Sequence, residues 1–409
     1  MCKAMYHNHD HLRLSGEPKE YNNPFLHDFN TVFRSQQLQV LSEKTQLIPS
    51  SKNCNNRLSH SIDVCNVSSL IVDYLNISMK KNNIALINKD LVKAISLAHD
   101  IGHPPFGHTG ERSLDTIMAR KGGFESNAQT IKMLVNSQFN GTFRTLTSLL
   151  KHKRIIPEVR EEYTGLIKGY YGYMVTSLEP IFSVYQESVL EQGIVDIADT
   201  ISYVISDIKD LIEFFGKIKF TQLINAHFKN SVVFDEARHA FTNLSTTELR
   251  YLVLNTIRDI NENVLKVLLK SNIKRKSMHE KSIINGFISN ISIEINAQKP
   301  MYSKLKIPIQ DQLKLFLLNQ ITRKCFLERE INLEIDRKID NLMNRTFEYL
   351  FYLNTEESML PFEKQAVHNV VNTSCDIDKA RYVCDLICHL SEKQIINLTN
   401  NLEEKIISI

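Results

Sequence analysis

The sequence predicts an all-α protein, and two observations support this prediction. Glycine and proline, which often interrupt helices, number only 13 and 10 among 409 residues, well below their roughly 12% share of average composition. Apolar residues also recur at helical spacing, most clearly in two stripes. The first stripe is Leu91, Ala94, Ile95 and Ala98, and the second is Ile194, Ile197, Ala198, Ile201, Val204, Ile205, Ile208, Leu211 and Phe215. No Walker loop, Rossmann glycine fingerprint or GxSxG elbow is present in the sequence.

The sequence divides into four regions, within a length that allows roughly two or three domains. Residues 1–23 are polar and predict a flexible arm, and residues 24–270 carry a first set of helical patterns. Residues 271–282 contain a basic cluster that predicts a linker. A solvated linker is the commoner role for such a cluster, with contact to phosphates or single-stranded nucleic acid as the alternative. Residues 283–409 carry a second set of helices, interrupted near Pro361.

Charge and cysteine usage exclude several classes of protein. The formal net charge of +3, from 49 basic and 46 acidic residues, gives no sign of a general polyanion binder. Seven cysteines without a CxxC pair favour a reducing, cytoplasmic location over a disulfide framework. Cys384 and Cys388 are expected to pack in a core. No apolar run is long enough to span a membrane, so no membrane partner is expected.

The segment LAHDIGHPPFGHTGE, residues 97–111, holds the densest group of reactive side chains. It places His99, His103 and His108 with the carboxylates of Asp100 and Glu111 within 13 residues. The first apolar stripe puts the His-Asp pair on the last turn of a helix, which the following glycine and prolines end. Imidazole and carboxylate together suit a divalent metal of intermediate softness. This segment therefore predicts a metal site at a helix end.

Two further helices carry polar side chains at helical spacing. His60 lies on a stripe with Val64, Val67, Ile71 and Leu75, so it is expected on a buried face. On that pattern alone, a hydrogen-bonded core histidine is the commoner interpretation.

The second helix bears an unusual row of acids on the face opposite its apolar stripe. The row comprises Asp196, Asp199, Tyr203, Asp207 and Asp210. Like charges one turn apart cost a helix roughly 0.2 to 0.5 kcal/mol per pair, so such a row must be solvated or matched by cations. A solvated position is expected for Asp196 and Asp210.

Taken together, these segments resemble the HD-domain superfamily. Within it they resemble the deoxyguanosinetriphosphate triphosphohydrolase family, whose eukaryotic relatives are the SAM and HD domain dNTPases. The resemblance covers most of residues 29–215 and rests on ordered motifs. These are EKTQLIP, RLSHS, HDIGHPPFGHTGE, FESNAQT, LTSLLKH and LEQGIVDIADTISYVISDIKD, with a weaker match in ARYVCDLICHLSEKQ. The resemblance implies an HD-type helical core, with a C-terminal helical region that completes the nucleotide pocket or an oligomer interface.

The resemblance also implies roles for individual residues. A divalent ion, Mg, Mn or Fe, would be held by His60, His99, Asp100 and Asp199. His108 and Glu111 would activate water or transfer protons, with His103 near the phosphates, and the histidine that protonates the leaving group is left open. The implied substrate contacts are Arg57, Lys168 and Arg381 with phosphates, Tyr203 and Asp207 with the sugar, Gln46 with the sugar or base edge, and Asp385 with the base.

The activity implied by the resemblance is metal-dependent hydrolysis of a deoxynucleoside triphosphate to deoxynucleoside and inorganic triphosphate, with dGTP favoured. A homo-oligomer is expected, with single-stranded DNA or a dNTP as a candidate effector. Two alternatives stay open. One is another HD-domain nucleotide phosphohydrolase, and the other is a nucleotide or single-strand nucleic-acid sensing module.

Overall fold

The computed structural model describes residues 4–14, 22–47, 55–135, 139–160, 165–270, 276–324, 330–353 and 364–407. Helices dominate these parts of the chain, and the strands form two small two-stranded sheets. The prediction of an all-α protein is therefore confirmed. Among the described helices, none combines the length and apolar character needed to cross a bilayer.

The first half of the chain contains nine α-helices and one sheet in its described part. The helices are α1 (Pro24–Phe33), α2 (Gln36–Val40), α3 (Arg57–Lys81), α4 (Lys89–Ala98), α5 (Gly107–Ile117), α6 (Ser126–Val135), α7 (Phe143–Leu149), α8 (Val175–Val184) and α9 (Leu190–Phe215). Strands β1 (Ile155–Ile156) and β2 (Tyr170–Tyr171) pair in parallel. Short 3₁₀ helices occur at Asn8–His11, Leu41–Glu43 and Gly172–Met174.

The second half continues with helices that surround a short antiparallel sheet. The helices are α10 (Lys217–Phe228), α11 (Val232–Ala240), α12 (Thr246–Asp259), α13 (Lys266–Lys270), α14 (Lys276–Ile288), α15 (Ile309–Thr322), α16 (Glu330–Phe351), α17 (Lys364–Asn372), α18 (Asp376–Cys388) and α19 (Glu392–Ile407). A π-helix, Ile260–Leu265, joins α12 to α13, and a 3₁₀ helix, Pro300–Tyr302, precedes β4. The sheet pairs β3 (Ser292–Glu294) with β4 (Lys304–Lys306).

Two predicted interruptions fall partly or wholly outside the described residues. In the basic linker predicted at 271–282, residues 271–275 are not described, and α14 begins at Lys276. The second part of that predicted linker is therefore helical. The interruption near Pro361 lies outside the described residues.

Helices α3, α4 and α9 pack against one another and form the centre of the larger core. Helices α3 and α4 each begin with an asparagine cap. Asn56 accepts a hydrogen bond from the Ser59 amide at 2.8 Å, and Asn88 accepts from the Leu91 amide at 3.1 Å. The first apolar stripe is fully buried, as are most residues of the second. Each large side chain buried in this way stabilises the fold by roughly 1.5 to 3 kcal/mol.

A second, smaller core joins the C-terminal helices to α5. Leu114 of α5 and Met118, the residue that follows this helix, pack in one cluster with Met343 of α16 and Val383 of α18. Cys384 and Cys388 are buried in the same cluster, which confirms the prediction that they serve packing. The helix that carries His108 and Glu111 thus has its apolar face covered by the C-terminal region.

The N-terminal segment differs from the flexible arm that its polar composition predicts. Residues 4–14 are packed, and Asp10 is fully buried. Arg144 of α7 pairs with Asp10 at 3.4 Å and with Glu191 of α9 at 2.8 Å, while the Tyr6 hydroxyl donates to Glu191 at 2.6 Å. A buried guanidinium needs such partners, because an uncompensated charge in a core is strongly destabilising. The buried polar residues of this segment are therefore paired with protein groups, while His7 and Asn8 remain exposed.

The solvent exposure predicted for two acids of the α9 row is found for only one of them. Asp196 has a 40% exposed side chain and pairs with Lys151 at 2.8 Å. Asp210, however, is only 3% exposed, so the prediction of a solvated position is wrong for this residue. The segment before α3 covers it, and the Asn55 side-chain amide donates to Oδ1 of Asp210 at 3.0 Å. Helical spacing places a residue on a face but does not reveal which distant segment covers that face.

Replacing Asp210 by asparagine should stabilise the protein more at pH 8 than at pH 5. Burial raises the pKa of Asp210 to about 6, although the Asn55 donors and Lys209 lower it. A carboxyl whose pKa is raised by folding stabilises the protein below its unfolded pKa, and that contribution is lost as the pH rises through about 6. The expected gain in free energy of unfolding for D210N at pH 8 is roughly 1 to 3 kcal/mol, measured by denaturant titration.

The matched control for this experiment is Asp196→Asn, on the exposed part of the same helix. Its effect on the free energy of unfolding should stay within about 0.5 kcal/mol at both pH values. An effect of D210N that is equal at pH 5 and pH 8 would contradict the burial argument.

Candidate active site

A cavity of about 590 Å³ lies where α3, the α4–α5 loop and α9 meet helices α15 and α16 of the C-terminal half. All of the predicted site residues except Arg381 and Asp385 line this cavity. They come from segments separated by more than a hundred residues in sequence. The volume is in the range typical of small-molecule sites.

Three predicted metal ligands converge at one point of the cavity wall. The candidate ligand atoms of His60, His99 and Asp199 all lie within 4.8 Å of one another. His60 Nε2 is 2.9 Å from Oδ1 of Asp199, and His99 Nε2 is 3.7 Å from the same oxygen. The three residues come from α3, the end of α4 and α9. This cluster could hold a metal ion.

The surroundings of His99 fit a cation at this point. Its Nδ1 lies 2.7 Å from the Ser96 carbonyl oxygen, which can only accept, so Nδ1 carries the proton and the Nε2 lone pair is left free. Nε2 is buried without a hydrogen-bond partner. Although burial lowers it, the carboxylates of Asp100 and Asp199 raise the pKa of His99 to about 9. The cluster therefore favours positive charge beside Nε2, as a metal ion would supply.

Asp100 lies beside the three clustered atoms and has partners of its own. Its Oδ1 is 3.5 Å from His99 Nε2 and 3.2 Å from His103 Nε2, while Oδ2 accepts from Arg57 at 2.7 Å. Burial opposes ionisation, but His99, His103 and Arg57 hold the pKa of Asp100 well below its usual range. The Asp100 carboxylate therefore connects the candidate metal ligands His60, His99 and Asp199 to the Arg57 guanidinium. Its role as a fourth ligand stays a prediction.

The start of α5 presents His108 at the cavity mouth. Phe106 has φ 65° and ψ 26°, and the chain turns sharply there into the helix. Residue 110, within the first turns of α5, must be glycine, because a Cβ there would lie 1.9 Å from the carbonyl oxygen of Pro105. His108 is well exposed, with Nδ1 3.2 Å from Oε2 of Glu111.

Glu111 and His103 complete the group of titratable side chains. Glu111 accepts a 2.8 Å hydrogen bond from the Ser126 amide, which orients it toward His108. Despite burial, the hydrogen bond with His108 and the charge of His103 lower the pKa of Glu111. Burial and Arg57 lower the pKa of His103 to about 4. His103, as a neutral imidazole, can take part in proton transfer. The same holds for His108, which the ionised Glu111 carboxylate orients.

Helix α9 forms a further part of the cavity wall. Tyr203 and Asp207 follow Asp199 at successive turns, and all three line the cavity. Burial, together with the charges of Asp210 and Asp199, raises the pKa of Asp207 well above its usual range. One helix face thus supplies a candidate metal ligand, a phenol and a carboxyl group in a row.

Several cavity residues were not among the predicted ones. Lys151 ends the LTSLLK segment and is a cation in addition to the predicted Arg57 and Lys168. The remaining unpredicted lining residues are Thr45, Leu47, Phe106, Gly107, Thr109, Arg112, Glu125, Asn127, Leu166, Asn319, Thr322, Ile335, Asp336 and Ile339. The FESNAQ motif could have indicated Glu125 and Asn127. Nothing in the local pattern of α15 or α16 indicates that they reach this cavity.

The structure gives Arg381 and Asp385 partners outside the cavity. The Arg381 guanidinium lies 3.7 Å from the centre of the Tyr171 ring and donates to the Gly123 carbonyl oxygen at 2.7 Å. Asp385 accepts 2.7 Å hydrogen bonds from Lys132 and Gln129. Both residues therefore connect α18 to the loop before α6, to α6 itself and to β2. The predicted contacts of these two residues with phosphate and base are not supported by their position.

Comparison with known proteins is consistent with this arrangement. The HD domain family model matches residues 57–204, the stretch that contains His60, His99, Asp100 and Asp199. The Deoxyguanosinetriphosphate triphosphohydrolase-like protein 2 of Mesorhizobium japonicum is 33% identical over 223 residues, 48% of this chain and 47% of that protein. The chain thus matches about half the length of that relative.

Two other relatives match over more of their length. The Deoxyguanosinetriphosphate triphosphohydrolase-like protein of Rickettsia felis is 30% identical over 290 residues, 68% of this chain and 69% of that protein. The protein of the same name from Wolinella succinogenes is 26% identical over 408 residues, 96% of this chain and 98% of that protein. The matched motifs, the helical fold and the shared HD segment lead to one conclusion: the chain belongs to the HD-domain deoxyguanosinetriphosphate triphosphohydrolase-like family.

Proposed function

We propose that the protein hydrolyses a deoxynucleoside triphosphate, with dGTP favoured, to the deoxynucleoside and inorganic triphosphate. The observation that carries this proposal is the meeting of three groups in one cavity. They are the His60, His99 and Asp199 cluster, the Arg57 guanidinium, and the His108–Glu111 pair. The choice of dGTP rests on the names of the relatives.

The residues fit a divalent ion such as Mn, Fe or Mg. When held by His60, His99 and Asp199, with Asp100 beside them, such an ion would act as a Lewis acid that stabilises charge developing on phosphoryl oxygens. Two imidazoles with carboxylates suit Mn or Fe better than Mg, which prefers oxygen ligands.

The cations on the cavity wall are suited to bind a triphosphate. Arg57 is fixed by Asp100 at 2.7 Å, so its guanidinium is held beside the metal cluster, where an α-phosphate could be bound. Lys151 and Lys168 also line the cavity and could offset the remaining phosphate charge. Fixed cations that match charge arising in the transition state are the main catalytic term in phosphoryl transfer.

The proposed reaction requires two proton movements. Water adds to the α-phosphorus, the bond from phosphorus to O5′ breaks, one proton leaves the water and one reaches O5′. His108, oriented by Glu111 at 3.2 Å, is the exposed imidazole placed to carry a proton. His103, hydrogen-bonded to Asp100, is the second candidate.

The α9 face suits recognition of a deoxyribose. Asp207 can accept a hydrogen bond from a 3′-hydroxyl in either protonation state. Tyr203, packed between Asp199 and Asp207 on the helix face, would leave no room for a 2′-hydroxyl. Gln46 lies across the cavity, where it could contact the sugar or base edge.

The C-terminal region contributes Ile335, Asp336 and Ile339 to the cavity, which supports the prediction that it completes the nucleotide pocket. A homo-oligomeric state, a cytoplasmic location, and a single-stranded DNA or dNTP effector stay predictions from the sequence.

Product analysis with each of the four dNTPs and with GTP, in Mn²⁺ or Mg²⁺, tests the proposed reaction. The wild-type protein should release deoxynucleoside and triphosphate. Asp199→Ala should lower the rate by at least about 1,000-fold, because it removes the shared partner of His60 and His99. Glu213→Ala, at an exposed position near the end of the same helix and outside the cavity lining, is the matched control and should keep near wild-type activity.

Other products would point to other reactions. Monophosphate with pyrophosphate, or diphosphate with orthophosphate, would place the broken bond elsewhere in the triphosphate chain and refute the proposal. Binding of nucleotides without turnover, in the wild type and in both variants, would favour the sensing module instead.

Tyr203→Ala should weaken discrimination against ribonucleotides. Removing the phenol opens space beside the sugar, so the ratio of kcat/KM for dGTP over GTP should fall by about 10- to 100-fold. The measurement is initial rates of triphosphate release from each nucleotide. Tyr251→Ala, an exposed tyrosine on α12, should leave the ratio unchanged. An equal loss of rate for dGTP and GTP in Tyr203→Ala would show that the phenol does not select the sugar.

A further inference from the structure

The junction between α18 and α19 contacts the two segments that shape the cavity mouth. One is the loop of residues 99–107, which carries His99, Asp100 and His103. The other is the segment Lys44 to Gln46, which precedes α3. Cys388 and Glu392 of the C-terminal region accept hydrogen bonds from Lys44 and Thr45, and Glu392 also accepts one from Phe106. Neither Cys388 nor Glu392 lines the cavity itself.

Glu392, the first residue of α19, uses both carboxylate oxygens in these contacts. Its Oε1 accepts from the backbone amides of Thr45 at 2.8 Å and Phe106 at 3.0 Å. Its Oε2 accepts from the Thr45 hydroxyl at 2.7 Å. One side chain therefore ties the start of α5 to the segment that contains Gln46.

Lys44 provides a second, parallel connection. It is almost fully buried, and its ammonium group donates to the carbonyl oxygens of His103 at 2.7 Å and Cys388 at 2.6 Å. The backbone next to the His103 imidazole is thereby attached to the last residue of α18. Lys44 and Glu392 hold successive parts of the same loop, from His103 to Phe106.

The backbone at Phe106 explains why such support is needed. A non-glycine residue in the left-handed region persists only where its surroundings hold it there. Gly107, the next residue, also faces the Thr45 segment, because a Cβ added to it would lie 3.6 Å from the carbonyl oxygens of both Thr45 and Gln46. Small shifts of the Thr45 segment would therefore displace the start of α5 and the His108 side chain that follows.

We infer that Glu392 is a positioning residue, through which the C-terminal helices hold the α5 start and the Gln46 segment in their working geometry. It does not touch the cavity, so it acts through Phe106 and Thr45. This inference rests on the proposed function for its catalytic readout. Its structural readout, the protection of the Phe106 amide, does not depend on that function.

The first measurement compares kcat and KM of Glu392→Ala, Glu392→Gln and the control Lys393→Ala. Alanine removes every acceptor, so kcat should fall by about 10- to 100-fold, because a small misplacement of a catalytic group has effects of that size. Glutamine keeps one oxygen for the two backbone amides and offers N–H to the Thr45 hydroxyl, so it should restore kcat to within about threefold of wild type. Lys393 is exposed on the same helix, and its variant should match wild type.

The second measurement is amide hydrogen exchange of the same variants, read at residues 99–107. Exchange at Phe106 should rise by about tenfold or more in Glu392→Ala and stay near wild type in Glu392→Gln, with α3 and α4 unchanged in both. Exchange that rises throughout the protein would indicate a general structural role and overturn the inference. Unchanged exchange at Phe106 would also overturn it.

The two measurements separate the inference from the proposed function. If the wild-type protein releases no triphosphate from any dNTP, the proposed function fails, and the exchange data alone decide whether Glu392 positions the loop. If the wild type is active and Glu392→Ala keeps full kcat, the positioning role is refuted while the proposed function stands.

Discussion

The carboxylate of Asp199 is the group on which the arrangement of the site depends. It lies between His60 of α3 and His99 at the end of α4, so one oxygen connects α9 with two helices that lie far earlier in the sequence. A carboxylate in this setting is costly to bury unless it is paired. Although burial raises it, the hydrogen bond with His60 and the nearby His99 imidazole lower the pKa of Asp199. The cluster therefore stays together only if α3, α4 and α9 keep their mutual register.

That register comes from the apolar faces of the same helices. The stripe of α4 is fully buried against α3 and α9, and the polar side chains project from the edges of these packed faces. Any change that rotates α9 would therefore move Asp199, Tyr203 and Asp207 together. The C-terminal helices add a second constraint, because α16 and α18 cover α5 and so hold the His108–Glu111 pair against the cluster. Core packing and the geometry of the candidate site are thus set by the same contacts.

Local sequence signals predicted a large part of this structure. The helical stripes, the end of α4 after Ala98 and the buried face of His60 all follow from residue spacing and helix-ending residues. The meeting of His60 with Asp199, which are 139 residues apart, could not be read from spacing and came only from the resemblance to a known family. Periodicity identifies which residues share a face, and it says nothing about which faces meet.

The predictions that differ from the structure share one physical cause. Asp210 and the N-terminal segment were interpreted from polarity, and Arg381 from the resemblance, as groups that face water or a ligand. Each instead has a protein partner from a distant part of the chain. Lys44 and Glu392 were not singled out for the same reason. Their partners are mainly backbone groups, which leave no trace in residue identity.

Three helices converge at Asp199 on a candidate metal site, and anomalous diffraction from crystals of the full chain soaked with Mn²⁺ would locate the ion. We expect one strong peak at roughly 2.0 to 2.3 Å from His60 Nε2, His99 Nε2 and an Asp199 oxygen, as for such ligands in general. A well-ordered crystal with no peak at this cluster, or with manganese bound only elsewhere, would contradict this expectation.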